Sequence, residues 1–214
     1  MRRRARRIVL AAVTLVLVAA VPALAAGLTL VSSKLTAWQS ATTVPVGCAS
    51  PGTQTASANA DSWMNQGSAA SNFGTDAILK VKSQSGNSNN RMITRFALPA
   101  VPAGCTVTLA RLRLYASSST AGRTLQALRV NAAWAENTVT WANQPPTTGT
   151  AVTTTSGAGY REWTVTPQVA LMYSGTNNGF LIRDATENGA GPEQSFHARE
   201  KAPDNPPQLV LTFG

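Results

Sequence analysis

The sequence predicts an all-β fold, an antiparallel β-sandwich or jelly roll with one short helix, preceded by a signal or anchor segment. Apolar and polar residues alternate over Arg91–Leu98 and again over Thr106–Ala116, and a turn region with Pro and Gly joins the two runs. A period of two, with many β-branched and aromatic residues, indicates strands that bury one face. The pattern recurs to the C-terminus between segments rich in Gly, Asn, Ser and Pro, as expected of a sandwich.

The predicted strands share this alternation, and one helix is expected after Val165. Thr166 fits an N-cap, Pro167 fits the first helical position, and Ser174-Gly175 ends the apolar stretch that follows. The predicted strands are Thr53–Ala58, Ala77–Lys82, Arg91–Leu98, Thr106–Ala116, Thr124–Trp134, Tyr160–Val165, Gly179–Arg183, Ser195–Arg199 and Gln208–Phe213.

The N-terminal segment carries the features of an export signal. Met1–Arg7 is basic, Ile8–Val31 has no charge, and Ala23-Leu24-Ala25 offers a small-x-small cleavage site. A cleaved secretory signal is expected, although the apolar run is also long enough for an uncleaved membrane anchor. The rest of the chain is then secreted or extracellular, either free, attached to the cell wall, or attached to the membrane through an uncleaved segment. The predicted divisions are a signal peptide at 1–26 or an anchor at 8–31, a linker at 27–52 and a β-domain at 53–214.

The formal net charge of +9 mostly reflects this N-terminal segment. Five of the eighteen Lys and Arg residues lie there, which leaves thirteen basic against nine acidic residues in the exported part. The exported part has no run of clustered Lys or Arg, so no nucleic-acid partner is predicted. A mild affinity for anionic polymers remains after this correction.

Two cysteines, Cys48 and Cys105, both lie in the part expected to be exported. An even count in an oxidising compartment predicts one disulfide between them. Such a bond would tie the segment before the first strand to the loop before the strand that contains Leu112, and closing this loop stabilises the fold by about 4 kcal/mol. The sequence has no CxxC spacing and a single histidine, which argues against zinc or thiol-redox chemistry.

Seven short segments, which keep their order between Thr53 and Phe213, carry a family resemblance. They are Ala60-Asp61-Ser62-Trp63, Asn72-Phe73-Gly74, Arg95-Phe96-Ala97-Leu98-Pro99, Ala110-Arg111-Leu112-Arg113-Leu114-Tyr115, Trp134-Ala135-Glu136-Asn137-Thr138-Val139-Thr140-Trp141, Gly179-Phe180-Leu181-Ile182-Arg183-Asp184 and Phe196-His197-Ala198-Arg199-Glu200. On these motifs the chain resembles the DNRLRE family, small β-sandwich modules of exported proteins. That family is similar to carbohydrate-binding modules, including ones that bind alginate. The resemblance implies non-catalytic binding of a polysaccharide and does not identify the sugar.

Basic residues beside the apolar faces of the predicted strands form the candidate ligand site. Guanidinium groups match carboxylates bidentately, so a row of them could bind a polysaccharide of uronic acids. The alternative is cross-strand pairing with acidic residues, which would neutralise the row, although bases outnumber acids. The predicted ligand-binding residues are Lys80, Lys82, Arg91, Arg111, Arg113, Tyr115 and Arg129.

Two tryptophans and two oxygen-rich loops allow further interpretations. Trp134 and Trp141 could stack against a sugar, but the favoured interpretation is that they close the end of the sandwich as large apolar side chains.

Asp61 in one loop, and Asp184 with Glu187 in another, could hold a structural Ca²⁺. Neither loop has a complete calcium pattern, and turns and caps explain the same residues without a metal. No other cofactor is expected.

Catalytic motifs are absent from the sequence. His197 is the only histidine, there is no nucleophile elbow or P-loop, and nothing singles out the two placed carboxylates that a glycosidase needs. The sequence therefore predicts a protein that is not an enzyme. Two functions remain open: an exported, non-catalytic carbohydrate-binding module for an acidic polysaccharide or a cell-wall glycan, or a structural or adhesive surface protein that uses the sandwich for protein contacts.

Overall fold

The computed structural model describes residues 47–118 and 120–214, and these residues form antiparallel strands with one α-helix, which confirms the predicted fold class. The predicted signal or anchor segment lies outside the described residues. Within the described ranges, no helix is long and apolar enough to cross a membrane. The strands are β1 (Gly52–Asn65), β2 (Ile78–Gln84), β3 (Asn90–Phe96), β4 (Val107–Ser118), β5 (Thr124–Val130), β6 (Thr147–Thr155), β7 (Gly159–Thr164), β8 (Phe180–Asp184), β9 (Ala190–His197) and β10 (Gln208–Phe213), and the helix is α1 (Thr166–Ser174).

The strands form two antiparallel sheets that share β1 and are also joined by one residue pair between β2 and β3, Lys82 with Asn90. In the first sheet β7 pairs with one edge of β4, and β10 and β9 pair with the other edge. The first half of β1 lies beyond β10, and β2 lies beyond β9. The second sheet has the order β1–β3–β8–β5–β6. β1 passes from the first sheet to the second at a register shift between Ala58 and Ala60, which closes one side of the sandwich.

The alternation in β4 determines which side chains enter the core between the sheets. Ala110, Leu112 and Leu114 are fully buried, whereas the residues between them are exposed or half-buried. Trp163 of β7 lies opposite Leu112 and is also fully buried, with its indole N–H donating to the backbone of β5. Burial of each such side chain stabilises the fold by about 1.5 to 3 kcal/mol.

The central strands of the second sheet, β3, β5 and β8, carry buried residues on both faces, unlike β4 of the first sheet. The inner face of the second sheet contributes Met92 and Ile182 to the core between the sheets. On its outer face Ile93 and Leu181 form a second apolar cluster with Trp134, which belongs to the segment 131–146 between β5 and β6. This cover segment explains why β8 is apolar at three consecutive positions.

Three sequence expectations differ from the structure, each for a local reason. The polar strand β6 was not expected, because its TTGTAVTTT sequence carries no apolar alternation. The prediction of Thr166 as N-cap is wrong: the Thr166 hydroxyl accepts a hydrogen bond from the Ala110 N–H at 2.9 Å, and Val165 precedes the helix. The two tryptophans cover the outer face of the second sheet instead of closing the end of the sandwich.

The disulfide between Cys48 and Cys105 is present, as the sequence predicted. Cys105 is buried and packs against the main core, and Cys48 packs beside it. The Ala49 N–H donates to the carbonyl of Ala103, so the residues next to the bridge are also paired. The bond therefore fastens the start of the domain to the loop before β4.

Candidate functional site

The seven predicted ligand-binding residues lie on three surfaces instead of one. Arg111, Arg113 and Tyr115 project from the outer face of the first sheet, because they alternate with the buried residues of β4. Lys80 and Lys82 project from the same sheet in β2, where they alternate with buried Leu79 and Val81. The other two residues belong to the second sheet: Arg91 lies on its outer face, and Arg129 pairs with buried Phe180 at its inner face.

Two arginines of β4 share one carboxylate from the neighbouring strand β7. Arg113 Nε donates to Glu162 Oε1 at 2.8 Å, and Arg111 Nη1 lies 3.8 Å from Glu162 Oε2. Arg113 also donates to Gln208 of β10 at 2.9 Å. The Arg111 side chain is 50% exposed, so most of its donors reach solvent. One positive charge is left over on this surface.

Two tyrosines lie next to these arginines. Tyr115 and Tyr160 are directly opposite in the β4–β7 pair, and their rings meet edge to face with centroids 5.3 Å apart. The Arg113 guanidinium carbon lies 4.2 Å from the Tyr160 ring centroid. Burial raises the pKa of Tyr160, against the smaller lowering effect of Arg113, so its phenol is a neutral hydrogen-bond donor. We call Arg111, Arg113, Tyr115, Tyr160 and Glu162 the tyrosine–arginine face.

The surroundings of this face are open and rich in hydroxyl groups. Residues opposite one another in an antiparallel pair share a face, so the partners of Arg111 and Arg113 in β10 and β1 continue the same surface. They include Val210 and Gln208 in β10 and, one strand further, Thr55 and Ser57 in β1. The result is a broad polar sheet surface with two aromatic rings at one edge.

A second arginine pair lies on the outer face of the second sheet. Arg91 donates through Nε and Nη2 to both oxygens of Glu187, at 2.7 and 2.6 Å, and through Nη1 to Gln144. Its guanidinium carbon lies 4.5 Å from the Trp141 ring centroid. Arg183 is the second arginine near this carboxylate, at 3.9 Å, and its Nε donates to Gln126. A cavity of about 340 Å³ beside them is lined by Arg91, Arg183, Gln144, Pro145, Pro146, Thr147 and Leu181.

The remaining predicted cations have other neighbours. Lys80 Nζ lies 3.4 Å from Glu193 and 5.0 Å from the Trp63 ring centroid. Lys82 lines a cavity between β2 and β9 that also contains Glu193. Arg129 lines a mostly apolar cavity beside α1, next to Leu171.

The residues predicted as calcium ligands lie in two places. Asp184 accepts two hydrogen bonds from Arg123, at 2.8 and 2.7 Å, which balance its charge. Arg91 balances the charge of Glu187 in the same way. Asp61 is 1% exposed, and burial is the main cause that raises its pKa to about 7. It lies close to Glu136 and Glu200, two residues that the sequence did not connect with it.

Fold and surface together define a β-sandwich binding module, a disulfide-fastened scaffold with an open face of aromatic and cationic side chains. Residues 52–213 match the model of carbohydrate-binding module family 96, which covers more than half of the chain, and the protein belongs to this family. No curated protein matches the sequence. The match agrees with the predicted relation to carbohydrate-binding modules, and the DNRLRE name itself stays a prediction.

The sequence placed Tyr160 at the start of a predicted strand and did not single out Glu162 among the acids that could neutralise the cationic row. Strand alternation places both residues on the side of β7 opposite buried Trp163, because Tyr160 lies three positions and Glu162 one position before it. Their contact with Arg113 depends on the pairing of β7 with β4. That pairing joins strands separated in the chain and has no local sequence signal.

Proposed function

We propose that the protein is an exported, non-catalytic module that binds an acidic polysaccharide through the tyrosine–arginine face. The observation that carries this proposal is the pair Arg111 and Arg113 on an exposed sheet face, with Glu162 as their shared anion. Membership of a carbohydrate-binding family supplies the class of ligand. A surplus guanidinium favours a sugar that carries a carboxylate, because the two groups pair through parallel hydrogen bonds.

The tyrosines give this face a second means of contact with a sugar chain. A pyranose ring has an apolar face that can pack against an aromatic ring, and the phenol groups can hydrogen-bond to sugar hydroxyls. Tyr115 and Tyr160 are both half-buried, and their rings are already restrained. Tyr160 packs against Arg113, and Tyr115 packs against Tyr160 and His197. Rings held in place lose little conformational entropy when a ligand binds.

The arginine pair of the second sheet is a weaker candidate for the same ligand. Each nitrogen of the Arg91 guanidinium already donates a hydrogen bond, two to Glu187 and one to Gln144. A carboxylate from a sugar would have to compete with Glu187, whose side chain is only 15% exposed. Arg111 has only a 3.8 Å ion pair within residues 47–118 and 120–214 and keeps its donors for a ligand.

The non-catalytic part of the proposal rests on where the carboxylates lie. Glycoside hydrolysis needs an acid and a base or nucleophile that both reach the sugar. Glu162 is the single carboxylate of the tyrosine–arginine face as defined above, and Arg111 and Arg113 share it. Elsewhere, Glu136, Asp184 and Glu187 are each held by another arginine, and Asp61 is almost completely buried. Export is supported by the disulfide, since such bonds persist in oxidising compartments.

The test is calorimetric titration of the purified chain with polygalacturonate and alginate, and with dextran as a neutral polymer, at low and high salt. We expect binding to at least one polyuronate, weaker binding at high salt, and at least tenfold weaker binding after Arg111→Gln with Arg113→Gln. Arg183→Gln is the matched control, because it removes one guanidinium from the other pair, and should leave binding unchanged. Absence of binding to both polyuronates, or loss only in the Arg183 variant, would refute the proposal.

A further inference from the structure

Three carboxylates from three separated segments meet at the 3-10 turn Arg199–Lys201. Asp61 lies in β1, Glu136 in the cover segment 131–146, and Glu200 in the turn itself. One oxygen from each lies within 4.8 Å of an oxygen from the other two. Backbone hydrogen bonds fix the arrangement, because the Asp61 N–H donates to Glu136 Oε1 at 2.8 Å and the Arg199 N–H donates to Asp61 Oδ2 at 2.9 Å.

This cluster has more negative than positive charge. The Arg199 guanidinium donates to both oxygens of Glu136, at 2.6 and 2.7 Å, and its Nε lies 3.1 Å from Glu200. Asp61 forms no ion pair within the part of the chain that the structure describes. With Asp61 ionised, three carboxylates face one guanidinium, so the cluster carries two uncompensated negative charges.

Asp61 differs in this respect from the other deeply buried carboxylate, Asp184. Both are almost inaccessible to solvent, but Asp184 receives two hydrogen bonds from the Arg123 guanidinium. Asp61 receives a single backbone hydrogen bond, and no donor reaches its Oδ1 from the described residues. Burial of a charged group without a partner is costly, and burial, with Glu200 and Glu136 nearby, raises the pKa of Asp61.

An unpartnered buried hydroxyl lies beside this carboxylate. Thr94 is directly opposite Asp61 in the β1–β3 pair, so the two side chains share one side of the strands with Cβ atoms about 5 Å apart. Thr94 is fully buried, and its Oγ1 has no hydrogen-bond partner in residues 47–118 and 120–214. Buried polar atoms nearly always have a partner. The Thr94 hydroxyl is therefore a second buried oxygen next to Asp61 that lacks a binding partner among the described residues.

We propose that Asp61, Glu136 and Glu200 bind a divalent cation, specifically Ca²⁺, with Thr94 as a neighbouring oxygen. The donors are all oxygen atoms, which hard cations prefer, and a charge of +2 balances the two uncompensated carboxylates. Calcium tolerates the irregular geometry of ligands from three chain segments, whereas magnesium demands a near-octahedral shell. A bound ion would fasten the cover segment and the 3-10 turn to β1. This cation site is independent of the proposed polysaccharide face.

The experiment measures melting temperature and calcium binding of the purified chain after EDTA treatment. We expect the melting temperature of the wild type to rise by about 5 °C in about 10 mM CaCl₂, and a calorimetric titration to give one site with Kd of about 10⁻⁴ to 10⁻³ M. Asp61→Asn should abolish the calcium response. It should still fold without calcium, because the amide keeps an acceptor for the Arg199 N–H and removes the buried charge.

A second variant and a matched control keep the result interpretable. Glu200→Gln changes an exposed ligand and should weaken calcium binding at least tenfold without loss of fold. Glu193→Gln removes a carboxylate outside the cluster, next to Lys80, and should respond to calcium as the wild type does. The proposal is overturned if calcium leaves the wild-type melting temperature unchanged, or if Asp61→Asn keeps the full shift. An equal shift with MgCl₂ at the same concentration would overturn the assignment to calcium.

Discussion

The molecule contains two clusters of the same composition, and their environments give them different properties. Each has two arginines that share one glutamate: Arg111 and Arg113 with Glu162 on the first sheet, and Arg91 and Arg183 with Glu187 on the second. The Glu162 side chain is 39% exposed, whereas that of Glu187 is 15% exposed. The first cluster therefore lies at a surface and the second is built into the protein.

The difference follows from what lies above each sheet. The cover segment 131–146 packs on the second sheet and brings Trp141 and Gln144 to Arg91, which completes its contacts. In the region of β4 and β7 the first sheet has polar side chains along its outer face, and Arg111 stays half exposed. A count of charged residues would not distinguish the two clusters, but their exposure does: the first leaves a guanidinium open to solvent, and the second is enclosed by its neighbours.

The largest expected effect tests whether the cover segment stabilises the second sheet. Trp134 is buried against Ile93 and Leu181, and its indole N–H donates to the Asn178 carbonyl at 2.8 Å. Trp134→Ala should lower the free energy of unfolding by about 3 to 5 kcal/mol, because it leaves a cavity over that sheet. Urea denaturation followed by circular dichroism measures this change. A loss below about 1 kcal/mol with loss of polysaccharide binding would instead make Trp134 a ligand contact.

Strand alternation predicted most of this architecture, because it reports burial on one face directly. Gln208–Phe213 was predicted with the bounds that β10 has, and the outward side chains of β4 follow from the same period. Alternation does not report burial where both faces of a strand are covered. Ile93 shares one face of β3 with Arg91 and Arg95, as alternation predicts, yet it is fully buried because the cover segment lies over it.

The candidate site was harder to predict, because its members come from strands that are distant in sequence. Arg111 and Arg113 were found by parity, but their sharing of Glu162 requires β7 to pair with β4. Parity also placed Arg129 with the other cations, whereas its pairing with Phe180 puts it at the inner face of the second sheet, beside α1. Strand pairing, and not residue type, decides which charges meet.

An intermediate effect on stability is expected when the buried arginine cluster loses its glutamate, Glu187. Glu187→Gln leaves the Arg91 guanidinium with a weaker acceptor in a site that is mostly removed from solvent. We expect the free energy of unfolding to fall by about 2 to 3 kcal/mol, because loss of one partner leaves a charge that is poorly compensated. Thermal or urea denaturation measures it. Unchanged stability would show that this cluster is as weakly coupled to the fold as an exposed ion pair.

The smallest change in stability is expected for the same substitution in the exposed cluster. Glu162→Gln should lower the free energy of unfolding by less than about 1 kcal/mol, since ion pairs at a surface contribute little. It should also strengthen binding of a polyuronate by about threefold at low salt, because Glu162 pairs with Arg111 and Arg113 and would compete with the sugar carboxylate for them. The gain in affinity should shrink as salt screens the charges.

Calorimetric titration of wild type, Glu162→Gln and Glu187→Gln under the same conditions separates the two clusters: only the Glu162 variant should gain affinity. A gain confined to the Glu187 variant would move the binding site to the second sheet, beside Arg91 and the cover segment.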